Sequence, residues 1–161
     1  MKTMTILAFV LLFTLSPENT HCRQTVSVRP DLSGSQNIRQ WDFDGTGSWR
    51  IDAGKLILSK AGTPSGPIRR PAALAILTTK LLRRVTVEAD IRSTASPDVA
   101  RRDLDVIVGY EAPTRFYYIH LAAISDDVHN GIFLVNNADR VRIDSGKGKP
   151  QLTDFSWHRV R

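Results

Sequence analysis

The sequence predicts an all-β fold, an antiparallel two-sheet sandwich. Short stretches alternate apolar and polar residues with the period of two that turns one face of a β-strand toward a core. Turn-forming Gly, Pro, Asp and Asn residues separate these stretches, and none after residue 22 keeps apolar residues at helical spacing for three turns. A chain of 161 residues that is 42% hydrophobic can bury one sizeable core, so we expect one domain.

The first strand pair is predicted in "SWRIDAGKLILS", residues 48–59. Trp49 and Ile51 precede the tripeptide Asp52-Ala53-Gly54, and Leu56 and Leu58 follow it. This is the pattern of a hairpin in which a glycine takes up a positive φ. The next strand is "RRVTVEADIRS", residues 83–93, which alternates strictly and is typical of a half-buried antiparallel strand.

A second antiparallel pair is predicted on either side of "EAPT", residues 111–114. The flanking stretches are "DLDVIVGY" and "RFYYIHLAAI", and the short connection contains a proline. In the second stretch Phe116, Tyr118 and His120 share one face. The opposite face also carries aromatic and aliphatic residues, which favours a strand inside a two-layer structure.

The stretch "HNGIFLVNNADRVRI", residues 129–143, is rich in polar residues and contains two turn signals. Asn130-Gly131 is the dipeptide most typical of a two-residue hairpin, and "NNAD" marks a second polar turn. Backbone geometry therefore explains most of these residues. The alternative is contact with a ligand by His129, Asn130 or Asp139, because loops and turns often carry ligand-binding groups.

The chain ends in "FSWHRVR", which alternates as a strand and stops without a turn. Because a sheet that ends in mid-strand leaves a hydrogen-bonding edge open, we expect a sandwich that is incomplete at the C-terminus. The predicted domain covers residues 41–161, and residues 23–40 form a lead-in to it.

Residues 1–22 have the layout of a secretory signal peptide, with one lysine, an apolar run from Met4 to Leu15 and then a polar stretch. The apolar run is much shorter than the ~20 residues that cross a bilayer, so we expect no integral membrane segment after cleavage. The predicted location is secreted or periplasmic. Cys22 is the single cysteine, which rules out an intramolecular disulfide.

The chain is basic, with 22 Lys and Arg against 16 Asp and Glu and a formal net charge of +6. The arginine pairs are scattered and are not interleaved with stacking aromatic residues, so we expect no nucleic-acid partner. Anionic glycans or an acidic cell envelope suit a basic surface better. Neither a Gly-x-Ser-x-Gly motif nor a free cysteine outside the signal region supports nucleophilic catalysis.

Five stretches taken in order resemble the secreted concanavalin A-like jelly rolls of bacteria, the lectin and glucanase superfamily. They are "WDFDGTGSWRIDAGKLILS", "VTVEADIRS", "DLDVIVGYEAPTRFYYIHLA", "HNGIFLVNNADR" and "WHRVR", which together span Trp41 to Arg161. Within that group the chain is most similar to laminin-G-like and 3-keto-disaccharide-hydrolase-type domains. The resemblance implies two stacked antiparallel sheets with a concave face that handles carbohydrate.

One departure from that superfamily concerns catalysis. Its laminarinase-type glucanases carry Glu-x-Asp-x-Glu on one strand, because a retaining mechanism needs two carboxylates about 5 Å apart. The similar strand here has Glu88 and Asp90, but Arg92 stands at the acid/base position. Glu88 and Asp90 are therefore only weak catalytic candidates, and a solvated polar face is the simpler interpretation.

The sequence thus predicts a carbohydrate-binding or carbohydrate-associated module with a glycan or polysaccharide partner. A glycoside hydrolase of the 3-keto-disaccharide type is the first alternative, and a structural or protein-interaction module is the second. We expect no cofactor, although clustered oxygens at Asp126 and Asp127 make a structural calcium ion an open alternative. The candidate ligand-binding residues are Tyr110, Tyr118, His120, His129, Asn130 and Asp139.

Overall fold

The fold was analysed in a computed structural model that describes residues 27–78, 85–99 and 102–161. It contains a short 3-10 helix, Ser35–Gln40, and ten strands. The strands are β1 Trp41–Asp44, β2 Ser48–Asp52, β3 Lys55–Lys60, β4 Leu74–Leu77, β5 Ala89–Ile91, β6 Leu104–Ala112, β7 Arg115–Leu121, β8 Gly131–Asn136, β9 Val141–Arg142 and β10 His158–Val160. The prediction of an all-β fold is confirmed.

Every strand pairing in the described chain is antiparallel. Strands β6, β7, β8 and β9 form a four-stranded sheet in sequence order. The other strands form the two-stranded sheets β1–β4, β2–β3 and β5–β10. The last strand, β10, pairs with β5 and aligns Arg159 with Asp90.

Three of the predicted turns are confirmed. Ala53 and Gly54 have φ of 45° and 72° between β2 and β3, as a tight hairpin requires. Pro113 and Thr114 connect β6 to β7. Asn137, with φ of 54°, begins the turn from β8 to β9.

The prediction of a hairpin at Asn130-Gly131 is wrong. Strand β7 ends at Leu121 and β8 begins at Gly131, so the connection is a loop over residues 122–130. Asn130 has a positive φ of 48°, as the sequence signal suggests, but it closes this loop instead of forming a two-residue turn. Its side chain explains the difference, because it bonds to the backbone at the other end of the loop.

One face of the four-stranded sheet forms the hydrophobic core. Phe116 and Tyr118 of β7 and Phe133 and Val135 of β8 are buried there together with Leu74 of β4. The predicted alternation of β7 is confirmed, because Phe116, Tyr118 and His120 are buried while Tyr117 is 43% exposed. The aromatic rings pack on one another, with the centroids of Tyr118 and Phe133 5.3 Å apart.

The opposite face of the same sheet is also apolar but is only partly covered. Tyr117, Ile132, Val141 and Ile143 are each more than 40% exposed. The register places Ile119 of β7 between Val106 and Ile132 on this face. The sheet therefore presents hydrophobic residues on both sides, as the aromatic content of β7 predicts.

The predicted signal peptide and Cys22 lie outside the described residues. Residues 83 and 84 of the strand predicted over 83–93 also lie outside the described residues. In the rest of that stretch the structure assigns Ala89–Ile91 as a strand. Within the described ranges, no helix has the length and apolar character needed to span a membrane.

Candidate functional site

A large cleft, which we call the central cleft, lies between the four-stranded sheet and the strands around β4. Its volume is about 2140 Å³. Its lining includes the aromatic rings of Trp41, Trp49, Tyr110 and Trp157 and the polar side chains of Asp103, Asp105, His120, His129 and Arg140. Aromatic rings and hydrogen-bonding groups thus share one concave surface, which is the usual composition of a small-molecule site.

His120 is one of the most enclosed polar groups of this surface. Its imidazole is 3% exposed, and Nε2 lies 3.2 Å from Oδ2 of Asp103 and 3.9 Å from Oδ1 of Asp105. On the other side of the ring, Nδ1 lies 3.0 Å from the carbonyl oxygen of Val128. A carbonyl oxygen only accepts, so Nδ1 carries a proton, and Nε2 donates to Asp103 when that carboxylate is ionised. His120 is thus positioned to be an imidazolium.

The local sequence places these groups together for a simple reason. Asp103 and Asp105 are two residues apart at the start of β6, so their side chains lie on the same face. The antiparallel register pairs Asp105 with His120 of β7. One histidine therefore faces two carboxylates across a pair of neighbouring strands.

Burial and charge shift the acid–base equilibria of this cluster. Burial raises the pKa of Asp105 to about 6, although the positive charge of His120 acts in the opposite direction. Burial disfavours protonation of His120, but the hydrogen bond to Asp103 and the charges of Asp105 and Asp103 outweigh it, so the pKa of His120 is raised. The acid–base equilibria of Asp105 and His120 are therefore coupled, because the charge of each shifts the pKa of the other.

Tyr118 lies next to this cluster and is fully buried. Its hydroxyl accepts a hydrogen bond of 3.0 Å from Nη1 of Arg140, and burial raises the pKa of the phenol. The Arg140 guanidinium also sits over the ring of Phe133, 5.2 Å from its centroid. Tyr118 thus fixes the position of Arg140, which lines the central cleft.

His129 is the second histidine of the cleft. Its ring centroid is 5.3 Å from that of His120, and its Nδ1 donates to Oδ1 of Asp126 at 2.8 Å. The backbone N–H of Val128 donates to the same Asp126 oxygen and, with His129, lowers the pKa of that carboxyl. Asp126 is thus engaged in holding the loop and its histidine.

Asn130 is buried and its side chain is occupied by the backbone. Its Oδ1 accepts from the N–H of Ala122, and its Nδ2 donates to the carbonyl oxygens of Ala122 and Ile124. These bonds close the loop over residues 122–130. The side chain therefore has a structural task that accounts for its burial.

Arg142 of β9 is the centre of a second network that closes the same loop. Its guanidinium donates to the carbonyl oxygens of Asp126, His129, Asn130 and Gly146 and forms an ion pair with Asp144, with Nε 2.6 Å from Oδ1. Gly131 leaves room for it, since a Cβ at that position would lie 2.5 Å from Nη2 of Arg142. The network holds His129 beside the cleft.

The two remaining candidate ligand-binding residues lie apart from each other. Tyr110 of β6 lines the central cleft, where its ring packs against Phe116 at 6.1 Å. Asp139 lies in the β8–β9 turn and accepts the backbone N–H of Arg69 at 2.8 Å. Tyr110, His120 and His129 are therefore brought to one surface, whereas Asp139 is not among the residues that line it.

Several polar atoms of the cleft are buried without a hydrogen-bond partner among the described residues. They include Oδ1 of Asp103, Oδ1 of Asp105, the indole Nε1 atoms of Trp41 and Trp49, and Nε and Nη1 of Arg70. Buried carboxylate oxygens and N–H groups are costly to leave unpaired. The two carboxyl groups also reach the surface of the cleft, since the side chains of Asp103 and Asp105 are 24% and 20% exposed.

The weak catalytic candidates Glu88 and Asp90 are paired at the surface. Arg161 lies 3.2 Å from Glu88 and Arg159 lies 3.3 Å from Asp90, and all four side chains are at least half exposed. Asp127, a weak calcium candidate, pairs with Lys147. Across the described ranges, no three His, Cys, Asp or Glu side chains are placed to hold a metal ion together.

Asp103, Asp105, Arg140 and Arg142 were not among the residues predicted from the sequence. A signal for the first two was present, because "DLD" places two carboxylates on one face of a strand that pairs with the strand containing His120. No local pattern indicated the arginines, whose partners include carbonyl groups of the loop found in place of the predicted hairpin.

The chain matches no protein-family model, no curated protein and no solved structure.

Proposed function

We propose that the protein is a secreted or periplasmic carbohydrate-binding module whose ligand occupies the central cleft. The observation that carries this proposal is the joint presence, in one cleft of about 2140 Å³, of aromatic rings and of the polar side chains of Asp103, Asp105 and Arg140. Aromatic rings stack on the apolar face of a pyranose, and carboxylates accept its hydroxyls.

The polar part of the proposed site is the cluster around His120. The side chains of Asp103 and Asp105 are 24% and 20% exposed, and Arg140 adds a donor on the same surface. Acceptors and a donor side by side match the vicinal hydroxyl groups of a sugar.

The aromatic part of the proposed site is Tyr110, with Trp41 and Trp157 at other points of the cleft lining. Tyr110 is half-buried and packs against Phe116 at 6.1 Å, which holds its ring in place. Trp157 is 48% exposed, and Arg92 sits 4.8 Å from its ring centroid. Rigid, partly exposed rings of this kind provide contact area at a small entropic cost.

The same proposal includes the jelly-roll arrangement of the strands. The four-stranded sheet β6–β9 would be one layer of a concanavalin A-like jelly roll, and the pairs β1–β4 and β2–β3 would belong to the other. The antiparallel pairing of all described strands supports this arrangement, as do the apolar faces of the four-stranded sheet. The signal-peptide layout of residues 1–22 supports export, which N-terminal sequencing of protein from a secreting host would test.

The direct test of the function is retention on immobilised glycans. Affinity electrophoresis of the purified protein in gels containing neutral or acidic polysaccharides should show retarded migration, with dissociation constants in the micromolar to millimolar range, or ~4–8 kcal/mol. Tyr110→Ala and Asp103→Asn should each weaken retention at least tenfold. Tyr117→Ala is the matched control, because this tyrosine lies on the opposite face of the sheet and is 43% exposed.

Each variant must also unfold at a temperature close to that of the unchanged protein, so that lost retention reports lost contacts. Tyr118→Ala and Asn130→Ala are unsuitable for this purpose. Tyr118 is fully buried, and Asn130 holds the loop over residues 122–130 by three backbone hydrogen bonds. Unretarded migration of the folded protein in every gel would contradict the proposal.

A glycoside hydrolase is the second candidate, and one observation favours it. The carboxyl of Asp105 has a pKa raised by burial to about 6, as a general acid near neutral pH requires, and it lies beside a second carboxylate, that of Asp103. Turnover of a 3-keto-glycoside or a β-glucan that is abolished in Asp105→Asn but kept in Glu88→Gln would establish this activity at the cleft.

A further inference from the structure

The carboxyl group of Asp105 lies in the central cleft without a close hydrogen-bond donor in the described part of the chain. Its side chain lines the cleft and is 20% exposed. Among the described residues its Oδ1 has no hydrogen-bond partner, and Nε2 of His120 lies 3.9 Å away, beyond the length of a hydrogen bond. Once ionised, this carboxyl has lost part of its water without gaining a donor.

The neighbouring His120 provides a single donor for two carboxyl groups. Its Nδ1–H donates to the carbonyl oxygen of Val128 at 3.0 Å, which leaves one N–H, on Nε2, for the carboxyl groups of β6. Nε2 lies 3.2 Å from Oδ2 of Asp103. The second N–H of His120 is therefore taken by Asp103, and Asp105 does not share it.

The other charged and titratable groups around Asp105 have hydrogen-bond partners of their own. The positive charge of Arg140, in the β8–β9 turn, acts on Asp105, but its Nη1 donates to the Tyr118 hydroxyl and its Nη2 to a loop carbonyl. Tyr118 of β7 is neutral, because burial raises the pKa of its phenol. His129, in the loop over residues 122–130, donates to Asp126 at 2.8 Å. These bonds leave Asp105 available to a ligand.

This arrangement moves the titration of Asp105 toward neutral pH. Burial raises the pKa of its carboxyl to about 6, because burial disfavours the charged form more than the nearby positive charges favour it. An aspartate with the ordinary pKa of 3.8 is ionised at pH 5. Asp105 instead changes from mostly ionised at pH 7 to mostly protonated at pH 5.

A sugar hydroxyl distinguishes between the two states of this carboxyl. It donates a charge-assisted hydrogen bond to a carboxylate, which is roughly twice as strong as a hydrogen bond between neutral groups. It would thus supply the donor that Asp105 lacks among the described residues. Because the ligand prefers the ionised form, protons compete with the ligand for Asp105.

We propose that Asp105 makes glycan binding in the central cleft pH-dependent, so that the glycan is held at neutral pH and released at mildly acidic pH. This inference rests on the proposed function and adds regulation to the same site. With a titration midpoint near 6 and binding to the ionised form alone, the dissociation constant at pH 5 is about tenfold that at pH 7. Unfolding is not the cause, because protonation of Asp105 favours the folded protein at the lower pH.

The test measures glycan affinity of the full chain at pH 7 and at pH 5. Affinity gels contain laminarin, galactomannan or dextran, which are neutral polysaccharides without a group that titrates in this range. Mobility is compared with a gel of the same pH without polysaccharide, so that the changing charge of the protein is cancelled. We expect retention at pH 7 in at least one gel and about tenfold weaker affinity for that polysaccharide at pH 5.

Variants assign the titration to one residue. The amide in Asp105→Asn resembles the protonated carboxyl, so this variant should bind at both pH values about as weakly as the unchanged protein at pH 5. Asp52→Asn is the matched control at an exposed residue that does not line the cleft, and it should keep the tenfold difference. His129→Gln should keep it too. Histidines as a class change charge between pH 5 and 8, so this variant separates the two residues.

Nuclear magnetic resonance follows the same carboxyl without a substitution. In protein with ¹³C-labelled aspartate, the Cγ signal of Asp105 should titrate with a midpoint near 6. Saturation with the polysaccharide that retards the protein most should lower this midpoint by about one pH unit or more, as the linkage to tenfold weaker binding requires. The Cγ signal of Asp52 should keep its midpoint.

The outcomes separate this inference from the proposed function. Equal affinity at pH 5 and pH 7, or tighter binding at pH 5, would overturn the pH dependence while glycan binding stands. A tenfold difference that persists in folded Asp105→Asn, or a midpoint of Asp105 that saturation leaves unchanged, would overturn the role of this residue. No retention of the folded protein in any gel at either pH would remove the proposed function and this inference together.

Discussion

The Nε2 atom of His120 lies 3.2 Å from Oδ2 of Asp103, with the imidazole 3% exposed. This contact, together with the hydrogen bond from Nδ1 to the carbonyl oxygen of Val128, leaves the ring no freedom to change its orientation. Asp105, Arg140 and the ring of His129 complete its surroundings. A buried histidine beside two carboxylates makes the stability of the fold sensitive to pH.

The stability of the protein should fall as the pH rises from about 4 to 8. The folded-state pKa of Asp105 is raised from 3.8 to about 6, so its contribution to stability is present below pH 3.8 and is lost as the pH passes 6. The pKa of His120 is raised above 6.5, so its contribution is lost at higher pH still. For Asp105 the loss is up to about 3 kcal/mol. Urea unfolding at intervals of one pH unit measures it.

Asp105→Asn tests whether Asp105 causes this pH dependence of stability. An asparagine resembles the protonated carboxyl, so the variant should match the unchanged protein at pH 4 and exceed its stability at pH 8 by about 1–3 kcal/mol. Asp52→Asn, at an exposed turn, should leave the pH profile unaltered. A profile with the same slope in Asp105→Asn and in the unchanged protein would show that other groups cause the pH dependence.

Tyr118 and Tyr117 are adjacent tyrosines on opposite faces of β7, so the same substitution can be compared at a buried and at an exposed position. Tyr118→Ala should lower the free energy of unfolding by ~3–5 kcal/mol, because it empties a fully buried site and leaves Arg140 without its acceptor. Tyr117 is 43% exposed, so Tyr117→Ala should cost ~1 kcal/mol or less. Chemical denaturation measures both. Equal costs would contradict the packing of the core face.

The burial pattern of β7 could be predicted because the alternation of buried and exposed residues is visible in the sequence of that strand alone. Phe116, Tyr118 and His120 alternate with Tyr117 and Ile119, and the period of two fixes which residues share a face. The same period of two predicted the strands on either side of the Ala53-Gly54 turn. The pairing of β5 with β10 is different, since its partners are 69 residues apart and no local pattern specifies them.

The loop over residues 122–130 shows why part of the site could not be predicted. Asn130-Gly131 has the residue types of a hairpin, and Asn130 does adopt a positive φ of 48°. Its buried amide bonds to Ala122 and Ile124, so the dipeptide ends a loop. Tertiary hydrogen bonds decide between these outcomes, and they also determine where His129 lies relative to His120.

The ion pair between Arg70 and Asp44 should be essential for stability. Nη2 of Arg70 lies 2.6 Å from Oδ2 of Asp44, and the two side chains are 0% and 14% exposed. Asp44→Asn leaves a buried positive charge without its partner, so we expect a loss of ~3–5 kcal/mol in thermal or urea unfolding. Asp44→Asn combined with Arg70→Met should recover most of it, because no unpaired charge remains.

The exposed pair of Glu111 and Arg115 is the control for that prediction. Its side chains are 67% and 50% exposed, so Glu111→Gln should change the free energy of unfolding by less than ~1 kcal/mol. A cost for Asp44→Asn as small as that for Glu111→Gln would mean that water reaches Arg70 and that the pair is not a buried one.

Arg142→Lys should loosen the loop that holds His129. The guanidinium donates to the carbonyl oxygens of Asp126, His129 and Asn130, at distances of 3.0, 3.3 and 3.0 Å, and a lysine keeps the charge without this fork of donors. We expect a loss of ~2–4 kcal/mol and faster hydrogen exchange over residues 122–130, because several buried carbonyl groups lose a charged donor.

Gly131→Ala tests the same network without touching the arginine. The added Cβ would lie 2.5 Å from Nη2 of Arg142, so the guanidinium must move away from the carbonyl groups that it binds. The exchange pattern of Gly131→Ala should therefore match that of Arg142→Lys. Arg115→Lys, at an exposed pair on β7, should leave exchange in the loop as it is in the unchanged protein. Unaltered loop exchange in both Arg142→Lys and Gly131→Ala would show that Asn130 alone closes the loop.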